Sequence, residues 1–186
     1  MVASSGPMDF SRSLSPKVTS NAVHHKPTPE IKVDLAQPSD ARAIALLGAR
    51  CFSDTFGYSV PAADLADFLA ATYTPGAIEA DILDSRQATG ESERGVPGDD
   101  PAAHAELRRL YVDGGAHGRG IGSRLIAAVE DRARAEGFEQ LWLSVWEHNV
   151  NAQRMYEKRG YVRVGELDFA TGTCIQTDWV LSKPLR

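Results

Sequence analysis

The stretch LYVDGGAHGRGIGSRLIAAVEDRARAEGF, residues 110–138, sets five glycines in nine positions (114–122) between an apolar strand-like run and a strongly periodic helix. The helix carries Ile121, Leu125, Ile126, Val129 and Ala133 on one side and Arg124, Asp131, Arg132 and Glu136 on the other, which fixes its core-facing side. Gly118, Gly120 and Gly122 then fall in the turn and the first helical positions, where missing side chains uncover backbone N–H groups. An anion fits above such a helix start. The helix end favours a nearby negative group by roughly 0.3–1 kcal/mol, and Arg119 adds a mobile charge at the rim. The chemistry predicted is a pyrophosphate cradle. It is not a Walker loop, which needs a Gly-Lys-Ser/Thr that is absent here. It fits a dinucleotide fold poorly, because Glu147, at the end of the next strand, lies too far on and the strands that follow have the wrong count for a doubly wound sheet. Glycines serving only a tight turn and close packing are the plainer alternative.

The rest of the chain supplies the frame for that junction. Ile31, Val33 and Leu35 alternate with polar residues as in a half-buried strand. Ser39 or Asp40 can cap a helix through Ile44, Leu47 and Cys51. Pro61 suits the first turn of a second helix bearing Leu65, Phe68, Leu69 and Thr72. Thr74 and Pro75 start a third with Ile78 and Ile82 inside. Ser85 to His104, with Val96 its only large aliphatic residue, reads as a loop. Then come a strand AELRRLYV (105–112), the glycine loop and its helix, a strand EQLWLSVWE (139–147), a helix NVNAQRMYEKRG (149–160) ended by Gly160, and closing strands YVRVGEL and CIQTDWVL. Residues 1–29, rich in Ser and Pro, are expected to form a disordered leader before one domain spanning 30–186, with His24 and His25 as solvated tail residues.

Charge narrows the partners. A formal net charge of −5 argues against nucleic acid or an anionic membrane surface and suits a cationic substrate. No apolar run approaches the ~20 residues that span a bilayer, and no signal-peptide centre is visible. Cys51 and Cys174 match no metal-ligand spacing and form no disulfide framework, so no metal is expected and a reduced cytoplasmic setting is.

HGRGIGSRL followed by NVNAQRMYEKRGY resembles the paired motifs of the GCN5-related N-acetyltransferases (GNAT), Gln/Arg-x-x-Gly-x-Gly/Ala and then Asn-x-x-Ala-x-x-x-Tyr. Within that superfamily LWLSVWEHNVNAQRMYEKRGYVRVGE, with QTDWVLSKPL downstream and CFSDTFGY upstream, is most similar to polyamine N-acetyltransferases of the spermidine/spermine type. The resemblance covers about residues 31–185. It implies an α/β acyl-CoA N-acyltransferase fold, a mixed central sheet with flanking helices, and transfer of acetyl from acetyl-CoA to a primary amine of a small molecule by direct attack.

The resemblance also implies roles. Acetyl-CoA would lie in a V-shaped split between AELRRLYV and EQLWLSVWE, with backbone groups of Leu110, Tyr111 and Val112 pairing with its pantetheine amides. His117, Gly118, Arg119, Gly120, Ile121 and Gly122 would hold its phosphates. His117 departs from the family's Gln or Arg, though a ring nitrogen can still donate to a phosphate oxygen. Asn151 would bond the pantetheine arm, and Tyr156 would protonate the departing thiolate. A phenol of pKa ~10 keeps its proton at neutral pH and so has one to give. The two lie five apart on roughly adjacent faces of one helix. Removing a proton from the amine calls for a carboxylate. Glu106 is the first choice, placed by alternation on one face with Arg108, Leu110 and Val112, and Glu147 and Asp54 are rivals.

One part of the family frame has no counterpart. Two strands usually stand between the third helix and AELRRLYV, yet Ser85–His104 holds six charged residues, three glycines and two prolines among twenty. The expectation is a sheet lacking its usual second and third strands. Its open edge would pair with the first strand directly or with a second chain in a homodimer. The cofactor half would survive this loss better than the acceptor half, which leaves a degenerate acetyl-CoA-binding module as the alternative to an enzyme.

Overall fold

The computed structural model describes residues 31–84 and 103–186, so the leader, its two histidines and nearly all of the Ser85–His104 segment lie outside the described residues. Helix α1 (Ala41–Phe56) starts after a short 3-10 turn, Pro38–Asp40. Asp40 does not cap α1 through its side chain; its carboxylate instead accepts from Gln37 N–H at 2.8 Å and closes the preceding turn. Helix α2 (Ala62–Thr72) follows Pro61. In α3 (Pro75–Asp84) Thr74 Oγ1 accepts from Ala77 N–H at 3.1 Å, the cap expected before a first-position proline. Ala41, Ala45, Phe52, Tyr73, Ile78 and Ile82 close one core among these helices.

The mixed sheet runs β1-β2-β4-β3. Strand β1 (His104–Glu106) is parallel to β2 (Gln140–Trp146). Strand β4 (Cys174–Pro184) is antiparallel to β2 and to β3 (Val162–Thr171), with Leu143 opposite Leu181. Odd-numbered residues of β2, Leu141, Leu143 and Val145, join Ile126 of α4 (Ile121–Ala135) and Tyr156 of α5 (Val150–Glu157) in a second core. The even-numbered Trp146 meets Phe56 of α1, with ring centroids 5.2 Å apart, on the opposite face of the sheet. No helix among the described residues is long and apolar enough to cross a membrane.

Three expectations are corrected. Ile31–Leu35 is not a strand: Asp34 alone makes an isolated bridge, and the Ile31 carbonyl accepts from Arg124 Nη1 at 3.4 Å. A strand persists through its ladder, and the described residues contain no strand between α3 and β1 to supply one. The expected strand over 105–112 shrinks to the three residues of β1, which begins one residue earlier at His104. Its last rung is Leu107 N–H to Trp142 O at 2.8 Å. Beyond that rung alternation fails, because Leu107 and Leu110 both pack on the second core and adjacent Arg108 and Arg109 both reach Asp81. Glu106, Arg108, Leu110 and Val112 therefore do not share one strand face. The closing strands, in contrast, run longer than their apolar cores suggest, to Thr171 and to Pro184.

Gly48 lets α1 approach Tyr73 closely in the helical core: a Cβ there would lie 2.6 Å from the Tyr73 ring. Gly48→Ala should therefore lower stability by about 1–3 kcal/mol, the usual range for overpacking. Thermal unfolding checks this, and an unchanged midpoint would show that Tyr73 moves aside freely.

Candidate active site

The parting of β1 and β2 opens a slot through the sheet. The two segments are joined only from Ala103 to Leu107, and no ladder bond among the described residues links Arg108–Val112 to Leu143–Trp146. Leu110, Tyr111 and Val112 border the slot. Tyr111 turns its side chain toward the helical core, where its hydroxyl makes a close hydrogen bond with that of Tyr73. Burial pushes both phenols' pKa values up. The Val112 carbonyl is already engaged, accepting from His117 Nε2 at 2.9 Å and from the Cys51 thiol at 3.6 Å. Burial, opposed by Arg50, raises the pKa of that thiol. His117 thus ties the slot to the glycine loop through one ring nitrogen.

The loop is built by local rules. Asp113 accepts from Gly115 N–H at 2.9 Å and pairs closely with Arg50, holding the turn Gly114–Ala116. Gly118 and Gly120 both adopt φ +74°, where other residues are strained, and no atom lies within 4 Å of a Cβ built on either. Gly120 is the N-cap of α4 and offers no side-chain acceptor. The first helical bond is Arg124 N–H to Gly120 O at 3.1 Å, which leaves the N–H groups of Ile121, Gly122 and Ser123 without a helical partner. Arg119 is exposed at the rim.

Beside the loop, Ser123, Asn151, Arg154, Met155, Lys158 and Arg159 line a cleft of about 560 Å³ between α4 and α5. Asn151 is exposed there while Tyr156, five residues on, is buried, so the two do not lie on adjacent faces of α5 as expected: five residues at about 3.6 per turn rotate well past a neighbouring face. The Asn-x-x-Ala-x-x-x-Tyr pattern, counted back from Tyr156, begins at Asn149, whose side chain accepts from Ala152 N–H at 3.3 Å and caps α5. Tyr156 is 6% exposed and meets Tyr161 edge-on at 5.6 Å. Burial, helped by nearby Tyr111, pushes its pKa up to about 12, so its hydroxyl stays protonated at neutral pH. These features fit acetyl-CoA: donors at an open helix start, cationic side chains beside it, and parted strands whose Leu110 packs on the cluster that holds a protonated phenol.

The candidate bases are scattered. Glu106 sits in β1 opposite Trp142, at the closed end of the slot. Glu147 follows β2, 3.9 Å from His148, and Asp54 is exposed on α1. Around Trp146 stand Phe56, His148 at 5.1 Å and Tyr58 at 5.9 Å, the last 78% exposed. Among the described residues no group of His, Cys, Asp or Glu is arranged to hold a metal.

Sequence reading missed Glu130. It lies on the apolar side of α4, four residues after Ile126, and is 3% exposed. Arg159 reaches it at 2.9 Å, Lys183 at 3.0 Å and Arg134 at 3.7 Å. Burial pushes its pKa up, but the hydrogen bonds and charges of Arg159 and Lys183 outweigh this and leave it below the usual glutamate value. An ionisable residue inside the helix's apolar stripe was the signal available.

Comparison with known proteins bears on the family and the fold. The sequence profile described as the Acetyltransferase (GNAT) family matches residues 86–161. An uncharacterized N-acetyltransferase of Lactobacillus delbrueckii subsp. lactis is 30% identical over 176 residues, covering 83% of this chain and 98% of the relative. The spermine/spermidine N(1)-acetyltransferase of Bacillus subtilis is 33% identical over 64 residues, 34% of this chain and 42% of that protein. Among solved structures, the PaiA N-acetyltransferase of Thermoplasma acidophilum, in complex with coenzyme A, superposes with a TM-score of 0.65 at 15% identity. That match covers 83% of this chain and 99% of the other.

Proposed function

The chain belongs to the acetyltransferase (GNAT) family, and we propose that it transfers acetyl from acetyl-CoA to a primary amine of a polyamine-like small molecule by direct attack. The observation that supports this reading is the slot between β1 and β2, tied to the glycine loop by the His117–Val112 hydrogen bond and bordered by Leu110, which packs on the core cluster containing Tyr156. Acetyl-CoA supplies the acetyl group as an activated thioester. The backbone of Leu110, Tyr111 and Val112 borders its pantetheine arm, and the free N–H groups of Ile121 and Gly122 meet its phosphates. Arg119 and His117 flank the phosphates, and Asn151 faces the arm from α5. Tyr156 keeps a proton for the departing sulfur, and the burial that makes it a weaker acid also raises the proton affinity of a thiolate beside it.

The amine enters from the α1 face of the sheet. There the rings of Trp146 and Tyr58, with the carboxylate of Glu147 next in sequence, offer what an ammonium-bearing chain prefers. The partial likeness to a spermine/spermidine acetyltransferase supports the same substrate class. Glu106 stands at the closed end of the slot, where it reaches the amine only through water. The test is thiol release from acetyl-CoA with spermidine, set against an amine of similar length that carries a carboxylate. Preference for spermidine is expected. Equal or reversed preference would overturn the polyamine assignment.

A further inference from the structure

Glu130 has no part in the chemistry above, yet it is the most enclosed carboxylate described and joins α4, the end of α5 and the end of β4. Its hold on Arg159 is two-pointed: Nη2 donates to Oε2 at 2.9 Å and Nε to Oε1 at 3.4 Å. That fork fixes the plane of the guanidinium and leaves Nη1 unused in either bond. Arg159 also lines the cleft beside the glycine loop, together with Arg154 and Lys158, neither of which has a carboxylate partner among the described residues. Three cationic side chains around one opening, in a chain of net charge −5, favour a phosphorylated ligand.

We propose that Glu130 is a positioning residue for cofactor binding, holding Arg159 from inside the core so that the phosphate-rich end of coenzyme A meets a fixed charge. The inference rests on the acetyl-CoA reading. An arginine on a free stem would lose rotamer freedom on meeting a phosphate, and Glu130 imposes that order beforehand. Lys183 provides a control within the same cluster, because it binds Glu130 from β4 and does not line the cleft.

The experiment is calorimetric titration of the full chain with coenzyme A and with dephospho-coenzyme A, together with thermal unfolding. Glu130→Gln keeps the shape and removes the charge-assisted hold. It should weaken coenzyme A binding by about three- to tenfold and affect dephospho-coenzyme A less. Lys183→Met should lower the unfolding midpoint and leave the ratio of the two affinities unchanged. If Glu130→Gln fails to fold, Arg159→Lys, which keeps the charge but cannot take the two-point hold, should show the same selective weakening. Unchanged or tighter coenzyme A binding in the folded Glu130 or Arg159 variant overturns the positioning role, as does a Lys183→Met ratio that shifts as far. A wild-type chain that binds neither ligand overturns the acetyl-CoA reading itself, and this inference with it.

Discussion

Tyr156→Phe should lower turnover by about 10²–10⁴-fold while leaving acetyl-CoA affinity nearly unchanged. The substitution removes one hydroxyl from a side chain that is 6% exposed and packed edge-on against Tyr161, so the ring and its neighbours keep their places. What goes is the proton. At a pKa of about 12 the phenol is protonated throughout the working range, and phenylalanine fills the space with nothing to donate. Single-turnover kinetics at saturating acetyl-CoA, paired with calorimetry, separate the two effects. A matching loss of affinity would mean that Tyr156 serves binding, and unchanged turnover would remove it from the chemistry.

Gly120→Glu should abolish cofactor binding altogether. Gly120 sits at φ +74° immediately before α4, a conformation that costs other residues about 1–2 kcal/mol, so the fold bears a modest penalty. No atom within 4 Å opposes a Cβ there. The side chain would therefore project into the open space over the helix start and set a carboxylate where the pyrophosphate belongs. Gly120→Ala, with the same backbone strain and no charge, should weaken binding far less. Calorimetry with acetyl-CoA on both variants makes the comparison, and unchanged affinity in Gly120→Glu would rule out the cradle.

The second half of the chain was largely legible because its signals are local. Glycines before an amphipathic stripe placed α4, and Gly160 closed the helix that begins at the Asn149 cap. Thr74 with Pro75 fixed the start of α3 by the same kind of rule. Failures came where the outcome depends on a partner strand. Ile31–Leu35 has the alternation of a strand but no ladder among the described residues, and Arg108–Val112 has strand composition but leaves β2 after Leu107. Alternation records which residues prefer burial and carries no information on whether a neighbour is there to pair. Glu130 escaped for a related reason: its burial is satisfied by Arg159 and Lys183, distant in sequence. The candidate site divides in the same way: motifs point to the loop and to Tyr156, whereas the choice among Glu106, Glu147 and Asp54 depends on tertiary distances.

The glycine loop and the slot beside it are proposed to hold acetyl-CoA for transfer to an amine. Calorimetric titration of the chain with acetyl-CoA, followed in the same sample by free-thiol release on adding spermidine, tests this proposal most directly. Saturable binding followed by thiol release is the predicted result, and a chain that shows no binding would contradict it.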